Sequence, residues 1–238
     1  MDQSIVVSNG FFDELRAGLA APGRCHANHP IMRSLADGTA PIEQLKRWII
    51  EMYLRVDAGL QHFGVIYAKC PDAVARRGIF DNLMEEERGL FSGTDGHLVL
   101  LRRYADALGV TEQEWAYVAA NLSLETRAMI WYERAIAYTQ PWYAWFSAVG
   151  IGEEAQVPTY FEVVSQASKK HYGVTKDDDL LFWTVHITAD AEHGEVTEKL
   201  LAKHLRTKEQ QDEAKDAVFT LAELLYDQMT AAARQGLQ

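Results

Sequence analysis

The sequence predicts an all-α fold: one domain spanning residues 1–238, built as a bundle of about seven main helices. Three observations carry this reading. Apolar residues recur three and four positions apart in nearly every segment, the spacing of one helical face. No run alternates apolar and polar residues for long enough to make a strand. Pro41, Pro71, Gly89, Gly109 and Gly173 fall at helix starts and stops, and no long linker divides the chain.

The elements follow in order. Ser8 or Asn9 caps a first helix with Phe11, Phe12, Leu15 and Leu19 on one face. Residues 21–30 form a loop, and a short helix ends near Asp37-Gly38. Pro41 suits the first position of a long helix over about 41–68, with Leu45, Trp48, Ile49, Met52 and Tyr53 at helical spacing. Pro71 opens the helix PDAVARRGIFDNLMEEE, which stops near Gly89. A glycine-containing linker leads to a helix over about 97–108, closed by Gly109. Thr111, with Glu114 three residues on, starts a short helix through a capping box. Further helices cover about 123–139, 141–171, 178–203 and 207–235.

Composition bounds the function. With 238 residues, 48% of them apolar, the chain can bury a substantial core and is not disordered. A net charge of −11 argues against nucleic acid or an anionic membrane surface as partner. No apolar stretch approaches the roughly 20 residues that span a bilayer. The start, MDQSIVVSNG, lacks a basic segment followed by an apolar core, so a cytoplasmic location is expected. Cys25 and Cys70, without a C-x-x-C pattern, fit reduced thiols.

The chemistry begins at His186-Ile-Thr-Ala-Asp190-Ala-Glu-His193. A helix turns about 100° per residue, so positions four and then three apart nearly eclipse. His186, Asp190 and His193 therefore share one helix face. Two imidazoles and a carboxylate suit iron or manganese. Exposed helices also carry His, Asp and Glu at this spacing. The residues just ahead, Leu180, Leu181, Phe182, Trp183 and Val185, are apolar, however, and place this helix in the core. Ionisable groups are rarely buried unless paired or bound to metal.

Two segments offer further ligands. In Glu85-Glu86-Glu87 successive side chains diverge, so at most one faces the core well. Ile79, Phe80 and Leu83 mark the expected buried face. Glu86, seven after Ile79 and three after Leu83, is the best placed, and Glu87, seven after Phe80, is second. A solvated acidic helix end explains the same run without a metal. His97 opens the next helix. The second segment is Gly150-Ile-Gly152-Glu153-Glu154-Ala-Gln-Val-Pro158. Glu154 follows Ser147 by seven and Gly150 by four, so small residues lie alongside it and leave room for a metal or substrate. Pro158 removes the amide that would bond the Glu154 carbonyl and bends the helix there. An exposed Glu-Glu pair beside a flexible glycine is the alternative.

Arg55, near Met52 and Gly59, is the first candidate to grip a substrate carboxylate; a salt bridge accounts for it equally simply. His62 follows seven residues later on the same face, where a core histidine is the plainer reading. Trp131, Trp142 and Trp145 either line a pocket for an apolar group or pack the core.

Taken together, these segments resemble the haem-oxygenase-like di-metal oxidases, in the superfamily that includes the thiaminase II proteins and pyrroloquinoline-quinone synthase. NLMEEERG is similar to the family signature NL-x-x-E-E-x-G, and GHLVLLRRYADALGV to the helix that follows it. EEAQVP resembles the family segment E-x-Q-I-P, and YGV followed by H-x3-D-x2-H completes the order. The resemblance covers about residues 25–200.

It implies a haem-oxygenase-like bundle and a di-metal site held by Glu86, His97, Glu154, His186, Asp190 and His193. One metal would take Glu86, His97, Glu154 and His193. The other would take Glu86, Glu154, His186 and Asp190, with both glutamates able to bridge; which ligand serves which ion stays open. Glu86, Glu154 and Asp190 are the catalytic carboxylates in this reading. The Glu86–His97 spacing is longer than in relatives, by an insertion around Phe91-Ser-Gly-Thr-Asp95.

The implied activity is that of an O2-dependent non-haem di-iron oxidase or oxygenase. It would hold two Fe(II) ions, with manganese as the alternative, and use O2 as co-substrate. The expected substrate is a small amino acid or amine of specialised metabolism, bound at Arg55 and His62. C–C cleavage, N-oxygenation and nitrile- or alkene-forming chemistry all fit. Family members that form p-aminobenzoate from their own tyrosine carry that tyrosine where Ile31 stands here, and a lysine where Val164 stands. Thiaminase II proteins need a cysteine that residues 123–150 lack. Two other readings stay open: a cofactorless oxidase like the quinone synthase, and a non-enzymatic helical binding protein. The last helix carries an apolar stripe of Val218, Leu221, Leu224 and Leu225, which either packs internally or forms a homodimer seam.

Overall fold

Side-chain caps mark several of the helix starts. Asp72 accepts the amides of Val74 and Ala75, and Ser123 accepts that of Thr126. Thr111 with Glu114, and Thr207 with Gln210, build reciprocal capping boxes. The structure, a computed structural model, describes residues 10–237, without the side chains of 188–196. Ser8 and Asn9, expected to cap the first helix, lie outside the described residues.

Eleven α-helices and no strand occur among the described residues. They are α1 (Gly10–Leu19), α2 (Pro30–Ala36), α3 (Ile42–Lys69), α4 (Ala73–Arg88), α5 (His97–Ala107), α6 (Glu112–Ala120), α7 (Leu124–Thr139), α8 (Trp142–Ser147), α9 (Val157–His171), α10 (Leu181–Leu201) and α11 (Lys208–Gln235). The all-α bundle holds, with more helices than the seven expected. Part of the excess comes from the expected 141–171 helix. It is broken into α8, a π-helical turn over Ala148–Glu153, a 3-10 turn over Glu154–Gln156, and α9.

Tertiary contact causes that break. A Cβ on Gly152 would stand 2.7 Å from the Val218 backbone oxygen of α11, and one on Gly150 would stand 2.7 Å from the Thr197 methyl carbon of α10. The backbone passes between two helices closer than any side chain allows, and the widened turn accommodates it.

The core has two halves, joined along α3. One half gathers Trp48, Tyr104, Tyr160, Phe161 and Trp183. The other gathers Phe63, Trp145, Ile151, Leu221 and Leu225. Each such side chain contributes about 1.5–3 kcal/mol by leaving water. Arg47 and Glu51 form a fully buried pair on α3. Glu51 also accepts the Ser123 amide at 3.2 Å and its hydroxyl at 2.6 Å, so α3 is pinned to the start of α7.

The α11 stripe is spent internally: Val218, Leu221 and Leu225 are buried within the chain. Cys25 and Cys70 are free thiols. No helix among the described residues is long and apolar enough to cross a membrane.

Candidate metal centre

His186 projects from α10 with its Nδ1–H donating to the Phe182 carbonyl one turn back, at 2.6 Å. That bond makes Nε2 the lone-pair nitrogen, the form in which imidazole binds a metal. Phe161 and Phe182 flank the ring, with centroids 5.4 and 4.7 Å away. Asp190 and His193 follow on the same helix, but their side chains lie outside the described residues.

The next candidate ligands come from the α4–α5 junction. Glu86 lies in the last turn of α4, and His97 is the first residue of α5. The inserted loop between them folds back tightly. Gly89 takes a left-handed conformation at φ 57°, and a Cβ on Gly96 would stand 2.3 Å from the Glu87 carbonyl oxygen. Glu85 anchors the loop, its Oε2 accepting the amides of Phe91 at 2.6 Å and Ser92 at 3.2 Å. His97 thereby reaches back over α4, with Nδ1 3.0 Å from Glu86 Oε1 and Nε2 3.4 Å from Glu85 Oε1. Its ring centre is 4.3 Å from that of His186.

Ligand atoms of Glu86, His97 and His186 all lie within 4.8 Å of one another. Two imidazoles and a carboxylate at this separation are a donor set for iron. Burial alone would lower the His97 pKa, but the neighbouring Glu86 and then Glu85 carboxylates outweigh it and raise it. Burial likewise opposes the Glu86 charge, and His97 overcomes it, leaving the Glu86 pKa lowered.

The structure corrects the phase reading of α4 in two respects. Phe80 is 49% exposed and packs on Tyr67 at the surface, so it does not mark the buried face. Glu87, whose placement depended on Phe80, is exposed. Glu85 and Glu86, by contrast, both turn inward, where only one glutamate was expected to. Adjacent residues manage this because the loop covers Glu85 and the cavity receives Glu86.

The break between α8 and α9 brings two further carboxylates, Glu153 at the end of the π-helical turn and Glu154 at the start of the 3-10 turn. Glu154 accepts a bond from Asn82 Nδ2 at 3.4 Å, which ties it to α4 one turn ahead of Glu86. Glu86, Glu154 and His186 line one cavity of about 720 Å³, its mouth included. Its far end holds Arg55, Glu133 and Glu153. Arg55 meets Glu153 through two bonds, Nη1–Oε2 at 3.1 Å and Nη2–Oε1 at 2.5 Å, and it meets Glu133 at 3.4 Å. The guanidinium is thus engaged by two carboxylates of the chain itself. Burial opposes the Arg55 charge; Glu153 and then Glu133 more than restore it. Burial pushes the Glu133 carboxyl up to about 7, against the pull of Arg55.

His62 is buried behind this end, its Nδ1 4.0 Å from Glu133 Oε2, and it is not among the cavity-lining residues. Burial, with Arg134 adding to it, lowers its pKa. Of the three tryptophans, Trp145 lines the cavity, Trp142 packs on His204, and Trp131 is 65% exposed. Glu85, Glu133 and Glu153 were not singled out from sequence. For Glu133 a signal existed: Met129, Glu133, Ile136 and Ala137 form one buried helical stripe.

Comparison with known proteins agrees with the architecture. A TenA homologue from Pseudomonas syringae pv. tomato superimposes with a TM-score of 0.78 at 12% identity, covering 93% of this chain and 92% of that one. A domain with a heme oxygenase-like fold from Shewanella denitrificans superimposes at 0.72 with 16% identity, covering 94% of this chain and 88% of its own. The 4-aminobenzoate synthase of Chlamydia muridarum is 26% identical over 225 residues, 92% of this chain and 89% of that protein. The family described as "Iron-containing redox enzyme" matches residues 46–226. The chain has the haem-oxygenase-like fold and belongs to this family of iron-containing redox enzymes.

Proposed function

We propose that the protein is an O2-dependent non-haem di-iron oxidase or oxygenase acting on a small amine or amino-acid-like substrate. The observation that carries this is the convergence of Glu86, His97 and His186 within 4.8 Å, at a cavity that Glu154 also lines. Membership of an iron-containing redox family supports it. Glu86, His97, Glu154, His186, Asp190 and His193 would hold the metal. When bound, two ferrous ions would supply the activation of O2, with manganese as the alternative.

The chain's own residues set the rest. Phe161, Phe182 and Trp145 give part of the cavity wall an apolar surface. At the cavity's far end the buried Glu133 and the half-buried Glu153 face a single guanidinium. A cationic nitrogen bound there would favour the ionised form of Glu133, where a second carboxylate would oppose it. Near neutral pH Glu133 is poised to hold or release a proton, and His62 backs it. Arg55 in this reading holds the two glutamates in place beside the substrate.

The Chlamydia relative is named for 4-aminobenzoate synthesis. Ile31 and Val164 here are buried apolar core residues. They supply neither the tyrosine nor the lysine that the resemblance assigns to that chemistry, so an external substrate is the reading we favour.

The test is anaerobic loading with Fe(II), elemental analysis, and oxygen-electrode and stopped-flow measurements with a panel of amines and amino acids. About two irons per chain and O2 uptake accelerated by one of the amines are expected. Folded protein that retains no iron would sink the proposal.

A further inference from the structure

The Glu85 carboxylate is 4% exposed, yet it is no part of the Glu86–His97–His186 cluster. A buried carboxylate needs partners for both oxygens. Oε2 has its partners in the amides of Phe91 and Ser92, which close the inserted α4–α5 loop. That task needs one oxygen. The other, Oε1, accepts no backbone amide and faces the His97 Nε2 edge at 3.4 Å. His97 is itself 3% exposed, and its opposite nitrogen faces Glu86 at 3.0 Å.

From this geometry we infer that Glu85 is a positioning residue for His97. Its carboxylate fastens the inserted loop with one oxygen and with the other holds the proton-bearing Nε2 edge of the imidazole, so that Nδ1 is presented to a divalent metal beside Glu86. The inference rests on the proposed reading of His97 as a metal ligand. The two ring nitrogens of a histidine are distinct, and the one facing a carboxylate keeps its proton. A carboxylate on the outer nitrogen fixes the ring's orientation and raises its basicity as a ligand. The same contact explains how the folded-back loop delivers His97 to the site. Glu85 is the last anchor before the insertion, and Gly96, pressed against the Glu87 carbonyl, is the hinge after it.

The test uses the full chain and Co(II) alone as probe. Wild type, Glu85→Gln, Glu85→Ala and His97→Ala are compared by calorimetric titration, by visible absorption of bound cobalt, and by thermal melting without metal. Glutamine keeps an acceptor for the loop amides and removes the charge facing His97. Glu85→Gln should therefore melt near wild type, bind cobalt about 10–100-fold more weakly, and show an altered cobalt spectrum. Glu85→Ala should lose melting temperature as well. A Glu85→Gln protein with wild-type affinity and spectrum overturns the inference and assigns Glu85 to the loop alone. Wild-type cobalt binding that His97→Ala leaves unchanged removes its premise. Wild type that binds no cobalt overturns the metal reading itself, and this inference with it.

Discussion

His97 Nδ1 stands 3.0 Å from Glu86 Oε1, although a turn and a folded-back loop separate them in the chain. The pair has a direct electrostatic consequence. Each member shifts the other toward its charged form, the imidazole up and the carboxyl down. Before any metal arrives, each group favours the charged form of the other. A divalent cation entering the site would take over from His97 as the positive partner of Glu86. The site is therefore held together without metal by the same groups that would receive it.

Glu154 should be indispensable for metal chemistry and Glu153 should not. They are neighbours, Glu153 closing the π-helical turn and Glu154 opening the 3-10 turn, and both line one cavity, but Glu154 points toward the Asn82–Glu86 side while Glu153 is bound to Arg55. Glu154→Ala should lower iron-dependent O2 uptake at least ~100-fold while circular dichroism shows intact helices. Glu153→Ala should retain iron and lose amine-stimulated turnover. Equal iron content and equal turnover in Glu154→Ala would refute the assignment.

Glu133 should make the protein less stable as pH rises. Its folded pKa of about 7 is raised above the ordinary 4.5. A raised pKa gives stability that is fully present below the ordinary value and lost as pH climbs through the folded one. Between pH 5 and 8 this group alone should remove on the order of 2–3 kcal/mol. Glu133→Gln does not titrate, so the difference between variant and wild type should move toward the variant by that amount across the same interval. Urea unfolding at both pH values reads it directly. Parallel changes in the two proteins would show that Glu133 is not the group responsible.

Glu51 is the structural counterpart, a buried charge on α3 that does not itself line the cavity. Arg47, Ser123 and Thr126 all depend on it. Glu51→Ala should destabilise by about 3–5 kcal/mol, because Arg47 is left buried and unpaired. Iron content of the folded fraction should stay unchanged. Chemical denaturation with parallel metal analysis separates the two effects, and a loss of iron without loss of stability would contradict this division of roles.

What the sequence made legible follows from how local each signal is. The long amphipathic helices α3 and α11 declare themselves through spacing and caps, and lie close to where they were expected. Glu86 was found by phase from Ile79 and Leu83, because α4 is regular up to that point. Phe80 misled because a large apolar side chain can sit at the surface against a neighbour such as Tyr67. Glu85 was missed because its burial is created by a loop that folds over it, a contact that periodicity does not encode. The break between α8 and α9 was hidden for the same reason, since its cause is the backbone of α11.

That break yields the last prediction. At Gly152 a Cβ would press on the Val218 backbone oxygen at 2.7 Å, and backbone cannot swing aside as a side-chain tip can. Gly152→Ala must therefore push the turn away from α11, and the turn carries Glu153 and leads straight into Glu154. The strain should destabilise the fold by about 1–3 kcal/mol. The displacement should act separately on the site, lowering iron affinity in protein that is still folded, because a shift of about 1 Å is enough to spoil a ligand set. Gly78 is the control: it lies on α4, and a Cβ there would meet nothing within 4 Å. Gly78→Ala should leave iron affinity unchanged and stability equal or slightly higher. Melting and iron titration of the two variants side by side decide the matter. If Gly152→Ala binds iron like wild type, the π-helical turn is not what holds Glu154 in register with Glu86.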